Sequence, residues 1–160
     1  MEVLPLKTKN KLLMICLAIP LGVGAVSGFI TRNSMAVFRQ LKKPPFSPPG
    51  WIFPIVWTIL FLMMGFASYL VLAANYTRQQ AKALMAYIAQ LAVNFFWPIF
   101  FFKFKWFSFS FFWLILLWVL IIVTIKYFYN ISKKAAYFLV PYIIWITYAG
   151  YLNLFISLLN

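Results

Sequence analysis

KKPPFSPPGWIFPIVW, residues 42–57, sets five prolines, two tryptophans and two lysines in sixteen positions between two long apolar runs. Proline fixes φ and lacks a backbone N–H, so Pro44, Pro45, Pro48 and Pro49 cannot continue a helix out of the preceding run. Proline is favoured in the first helical turn, however, so Ser47 or Gly50 is expected to open a new helix that tolerates Pro54. The stretch therefore separates one apolar segment from a series that follows it. Trp51 is expected at headgroup level and Trp57, a turn and a half further on, inside the protein.

Composition names the solvent of those segments. Of 160 residues, 66% are apolar and 9% charged, with 14 Lys and Arg against a single acid, Glu2. Soluble domains are about 45–50% apolar, and so few charges would leave large apolar patches facing water. Five runs, approximately 12–31, 52–73, 83–102, 107–129 and 136–158, each approach the ~20 residues that a helix needs to cross hydrocarbon. Backbone groups in lipid must pair internally, and without period-two alternation the runs choose helix over barrel. The expected fold is an all-α integral membrane protein, one domain over residues 1–160, with five transmembrane helices. The long first connector, about 32–51, would act as a lid, and the other connectors are short enough to force antiparallel neighbours. The first run follows Lys7, Lys9 and Lys11 as a signal peptide would, but it stays apolar to about Ile30 and is read as a retained helix. Eight basic residues on the N-terminal side against six on the other narrowly favour a cytoplasmic N-terminus.

The inventory excludes much chemistry. Without His or Asp, and with one Glu near the start, paired carboxylates, a Ser/His/Asp arrangement and a His/carboxylate metal cage are all unavailable. No span contains a carboxylate for proton coupling. The net charge of +13 sits in small groups between apolar runs, a pattern of headgroup contact rather than of nucleic-acid binding. Cys16 stands alone, so no intrachain disulfide can form.

Several helix faces are candidates for a site. Gly24 and Gly28 would let a helix or a flat ligand approach the first backbone. Gln90 and Asn94, four apart, share a face with Tyr87 and Trp97 and should look inward, because amides in hydrocarbon need partners. Trp145, Tyr148, Ala149 and Leu152 follow helical spacing, with a hollow at Ala149, and Trp57, Phe61, Met64, Gly65 and Ser68 form a comparable stripe. Together they suggest an aromatic-lined pocket. Trp106, beside Lys103 and Lys105, reads as an interfacial anchor, and Trp113 and Trp118 as lipid-facing. Ala83, Ala86 and Ala89 form a small-residue row suited to self-association. Residues 71–78 and 123–133 match a loose apolar–Tyr–basic sterol pattern.

KKPPFSPPGWIFPIVWTILFLMMGFASYL, then NFFWPIFFF, then PYIIWITYAGYLN, in that order over five spans, resembles the tryptophan-rich sensory protein/translocator protein family, formerly the peripheral-type benzodiazepine receptors. The resemblance covers nearly the whole chain. It implies a five-helix membrane protein, forming a homodimer and placed in the cell membrane if bacterial. Such a protein would bind protoporphyrin IX or haem, isoquinoline carboxamides and benzodiazepines. With the faces above, it gives a ligand set of Trp51, Phe53, Trp57, Phe61, Asn94, Phe100, Trp145, Tyr148, Ala149 and Leu152. Departures are Val37-Phe38 where many relatives have Trp-Tyr, apolar and aromatic residues near Trp113 where many have an acid, and no C-terminal sterol motif.

The function expected from this resemblance is tetrapyrrole handling or stress sensing. The macrocycle would lie against Trp57, Phe61 and Trp145, with Asn94 as a polar contact and Arg32, Arg39, Lys42 or Lys43 near the propionates. Lacking an obvious axial ligand, the site should take free-base porphyrin at least as well as haem, unless Tyr or Met ligates. No cofactor is obligatory, and the other partner is membrane lipid. Two alternatives stand beside it: light-dependent porphyrin degradation with Trp57 and Trp145 as redox-active residues, and a transporter or regulatory partner protein.

Overall fold

The structure is a computed structural model and describes residues 6–74 and 78–160. Glu2, and Tyr76 of the sterol-like pattern, lie outside the described residues. The protein is all-α, 85% helical, with no strand among the described residues. Its helices are α1 (Leu6–Ile30), α2 (Ser34–Gln40), α3 (Ile52–Leu72), α4 (Arg78–Pro98), α5 (Phe107–Ile131), α6 (Lys133–Phe138) and α7 (Val140–Leu159). Five segments are long and apolar enough to cross a bilayer: Lys7–Ile30, Ile52–Leu72, Arg78–Lys103, Phe107–Ile131 and Lys133–Leu159.

The element ends depart from simple hydropathy for local reasons. α1 starts before residue 12, because Lys7, Lys9 and Lys11 lie within its opening turns. The first connector is helical over α2, and Phe38 of that helix is buried. α4 reaches Pro98, whose missing N–H leaves the Asn94 carbonyl without its ladder donor. The chain then passes into a π turn, Ile99–Lys103. Phe104 N–H donates to the Ile99 carbonyl and Trp106 N–H to that of Phe100, both at 3.0 Å. Lys105 sits between them at φ 56°, the left-handed position that closes such a terminus. The last span is two helices. Ser132 ends α5 in extended conformation and caps α6 by accepting from Ala135 N–H at 3.3 Å. A break at Leu139 then precedes α7, with Pro141 in its first turn.

The helices close into a ring: α1 packs on α3, α3 on α6, α7 on α5, α5 on α4, and α4 back on α1. α1 and α3 meet through glycine. Pro20 deprives the Cys16 carbonyl of its helical donor, and that oxygen lies 2.6 Å from where a β-carbon at Gly65 would stand. Gly65 thus lets the α3 backbone rest on the carbonyl that Pro20 frees. Along α3 and α7 the backbones rarely come close. Aromatic rings bridge that gap: Trp57 to Tyr142 at 6.3 Å and Phe53 to Trp145 at 5.8 Å, both edge-on.

Candidate functional site

A cavity of about 590 Å³ lies at the lid end of the ring, inside the ~300–1,000 Å³ range of small-molecule sites. α1 supplies Gly24, Ser27 and Gly28, and the turn after it Thr31 and Arg32; α2 supplies Ser34 and Met35; α3 supplies Phe53, Trp57 and Phe61; and α4 supplies Asn94 and Trp97, with Phe102 from the π turn. Gly24, Ser27 and Gly28 of α1, continued by Thr31 in the turn that follows, form one stripe at i, i+3, i+4 and i+7, kept flat by its small residues. Phe61 fills the space that a β-carbon at Gly24 would need, whereas a β-carbon at Gly28 would meet nothing within 4 Å. The wall facing α1 is aromatic, through Phe53, Trp57, Phe61, Trp97 and Phe102, and Arg32 is the charged residue on the rim, its guanidinium 5.5 Å from the Phe29 ring.

Two polar chains cross the ring behind the cavity. Asn94 Nδ2 donates to Tyr142 Oη at 2.7 Å, and Tyr142 O–H donates to Gln90 Oε1 at 2.9 Å. Because Tyr142 spends its proton on Gln90, Asn94 must be the donor in that pair. Its amide oxygen is left as the acceptor at the cavity wall. Closer to the lid, Trp97 Nε1–H donates to Asn153 Oδ1 at 3.1 Å, and Asn153 Nδ2 donates to the Phe107 carbonyl at 2.7 Å. Buried amides are thus paired, as hydrocarbon requires, and α4 is pinned to α7.

The proline-rich connector is strapped to α7. Tyr148 O–H donates to the Phe46 carbonyl at 2.6 Å and Tyr151 O–H to that of Pro45 at 3.1 Å. The Asn160 amide accepts from Lys42 N–H and donates to the Lys42 carbonyl, both at 3.0 Å. Phe46 holds φ 66° and stands 90% exposed. From the roof, Phe38 packs edge-on against Phe53 at 5.1 Å. The phenylalanine in the Val37-Phe38 pair therefore still supplies an aromatic plug.

The predicted ligand set divides. Phe53, Trp57, Phe61 and Asn94 line the cavity. Trp145 does not: it stands behind Phe53 and beside Tyr148, at 5.6 Å, with its Nε1 buried and without a partner. Ala149 and Leu152 are buried in the protein interior rather than at the cavity, and Tyr148 serves the strap. Trp51 is exposed at the start of α3. Phe100 belongs to an aromatic cluster with Trp106 and Trp113 at the α4–α5 turn. The α7 residues share a face, as spacing requires, but the bridging rings of Phe53 and Trp57 come between that face and the cavity. Ser27, Thr31, Ser34, Met35 and Phe102 were not expected; Ser27 and Thr31 could have been found from their spacing to Gly24 and Gly28. Ala83 is fully buried, which removes it from an outward small-residue row. Trp118 is exposed, as expected, with its indole N–H donating to Thr147 Oγ1 at 3.0 Å, whereas Trp113 is half-buried and donates to the Val93 carbonyl at 2.8 Å.

Five spanning helices closed into a ring, with an aromatic cavity under a strapped connector, define an integral, multi-pass helical membrane protein. The profile of the TspO/MBR family matches residues 16–159, and the chain belongs to that family. The tryptophan-rich protein TspO of Chlorobaculum tepidum is 37% identical over 150 residues, covering 92% of this chain and 95% of that protein. Human translocator protein is 32% identical over 139 residues, 86% of this chain and 82% of its own length. The tryptophan-rich sensory protein of Cereibacter sphaeroides is 34% identical over 116 residues, 72% of each.

Proposed function

We propose that this protein binds flat, largely apolar tetrapyrroles, protoporphyrin IX foremost, in the cavity between α1, α3 and α4, and, if bacterial, does so in the cell membrane. The observation that carries the proposal is the pairing of an aromatic wall, Phe53, Trp57, Phe61, Trp97 and Phe102, with a flat glycine face on α1 and one rim cation, Arg32. A planar macrocycle stacks on such a wall, and its carboxylates meet the guanidinium at the membrane surface. Asn94 offers an acceptor to a ring N–H. Met35 is the one thioether among the lining residues, a weak donor to iron, so haem should bind no more tightly than the free base.

A titration of the protein in nanodiscs, following porphyrin-induced quenching of tryptophan fluorescence, tests the reading. Trp57→Ala is expected to weaken binding about tenfold or more, in keeping with loss of a central aromatic anchor. Trp145→Ala should weaken it less, because its ring stands one layer behind the wall. Equal affinity in wild type and Trp57→Ala would overturn the assignment of the cavity.

A further inference from the structure

The cavity is closed on three sides by specific contacts and open on one. Its roof is α2 and the connector: Met35 Sδ lies 2.8 Å from where a β-carbon at Gly50 would stand. Apart from the local bonds that open α3, from Ile52 N–H to the Pro49 carbonyl and from Phe53 N–H to that of Gly50, the hydrogen bonds among the described residues between 41–50 and the transmembrane helices go to Tyr148 and Tyr151 of α7 and to Asn160 at its end. The α1–α4 wall is tied at cavity level, where Ser27 Oγ–H donates to the Phe95 carbonyl at 3.2 Å. At cavity level no hydrogen bond crosses the α1–α3 wall among the described residues; the side-chain pairing of Cys16 with Ser68 lies about two turns further from the lid. The two helices touch at Gly65, against Cys16 and Leu17, and again at Gly24, against Phe61.

One turn nearer the lid the contact ends. A β-carbon at Gly28 would find nothing within 4 Å. Ala25 and Gly28 of α1, and Pro54 and Thr58 of α3, line the cavity and are well exposed. These four residues flank a cleft in the side of the bundle, within segments that cross the bilayer. We propose that ligand loads sideways from the lipid through this α1–α3 cleft, while the lid stays strapped to α7. The inference rests on the tetrapyrrole reading and adds its source: a membrane-dissolved amphiphile, carboxylates held at the headgroups, that slides in ring first and leaves its charged edge beside Arg32.

The test is stopped-flow capture of protoporphyrin IX predissolved in the vesicles that hold the protein. Ala25→Trp and Thr58→Trp narrow the cleft. Both are expected to slow association by about tenfold beyond whatever factor the same variants lose in equilibrium affinity, because a doorway acts on the rates and not on the bound state. A second protein keeps the test alive if those variants fold poorly: Pro45→Cys/Tyr151→Cys, joined by a bifunctional maleimide, holds the lid down. Locked in this way, the protein should capture porphyrin within about twofold of the unlocked rate. Capture that collapses on locking the lid, or that ignores both tryptophans, overturns the side route and leaves the tetrapyrrole reading standing. A wild-type protein that captures no porphyrin at equilibrium removes both together.

Discussion

Gly65 and Gly22 show how one residue type does opposite work in two helices. Gly65 has the Cys16 carbonyl 2.6 Å and the Leu17 Cα 2.8 Å from where a β-carbon would be, both backbone atoms that cannot swing away. Gly65→Ala should therefore push α1 off α3 and destabilise the protein by about 1–3 kcal/mol, the usual cost of overpacking. Gly22 has nothing within 4 Å, so Gly22→Ala should gain from helix propensity alone, by up to about 1 kcal/mol. Unfolding in mild detergent, followed by circular dichroism, separates the two: loss for Gly65, gain or no change for Gly22. Tyr142 obeys a different logic. Its hydroxyl joins Asn94 to Gln90 in a fully buried chain, so Tyr142→Phe strands a donor and an acceptor at once. Interhelical hydrogen bonds in membranes are worth about 0.6–1.7 kcal/mol, and a loss near or above the top of that range is expected in the same assay.

At the scale of elements, the spans were legible because twenty apolar residues have few alternatives, whereas their ends were not. The π turn is written in Pro98, but a proline says where a ladder loses a donor, not how the next turn recovers. Its closing residue, Lys105, holds φ 56° without being glycine, a conformation costing a side chain about 1 kcal/mol. Lys105→Gly should thus stabilise the α4–α5 junction by about that amount, seen as a raised melting temperature with the helix content unchanged. α2 was invisible for another reason: seven residues are too few to show a period, and this helix exists because Phe38 is buried against Phe53. The strap behaves as a unit of its own. Lys42 N–H is held by Asn160, so Asn160→Ala should speed exchange of that amide by about tenfold or more, with exchange in the α3 core unaffected.

The whole ring decides which faces meet the cavity, and here helical spacing alone misleads. The stripes on α3 and α4 were readable because Trp57, Phe61 and Asn94 face the gap left by the glycines of α1. The equally regular stripe on α7 faces the same centre, yet Phe53 and Trp57 fill the space before it, and no periodicity reports which of two rings stands in front. Charge divides in the same way. Arg32, Arg39, Lys42 and Lys43 are close in sequence, but only Arg32 lines the cavity; Lys43 instead donates to the Phe38 carbonyl at 3.2 Å and lies over its ring. No Asp or Glu lies among the described residues to compete for Arg32, so under the tetrapyrrole proposal a ligand carboxylate would be its partner. Arg32→Gln should weaken protoporphyrin IX by about fivefold to tenfold, the scale of a partly exposed charge-assisted contact. The same substitution should leave the dimethyl ester of that porphyrin within about twofold, because the ester offers no charge to lose. Raising the salt should erode the wild-type preference for the acid over the ester, since a rim contact is screened. A penalty of equal size for acid and ester would mean that Arg32 acts through packing at the mouth of the cavity rather than by holding a carboxylate.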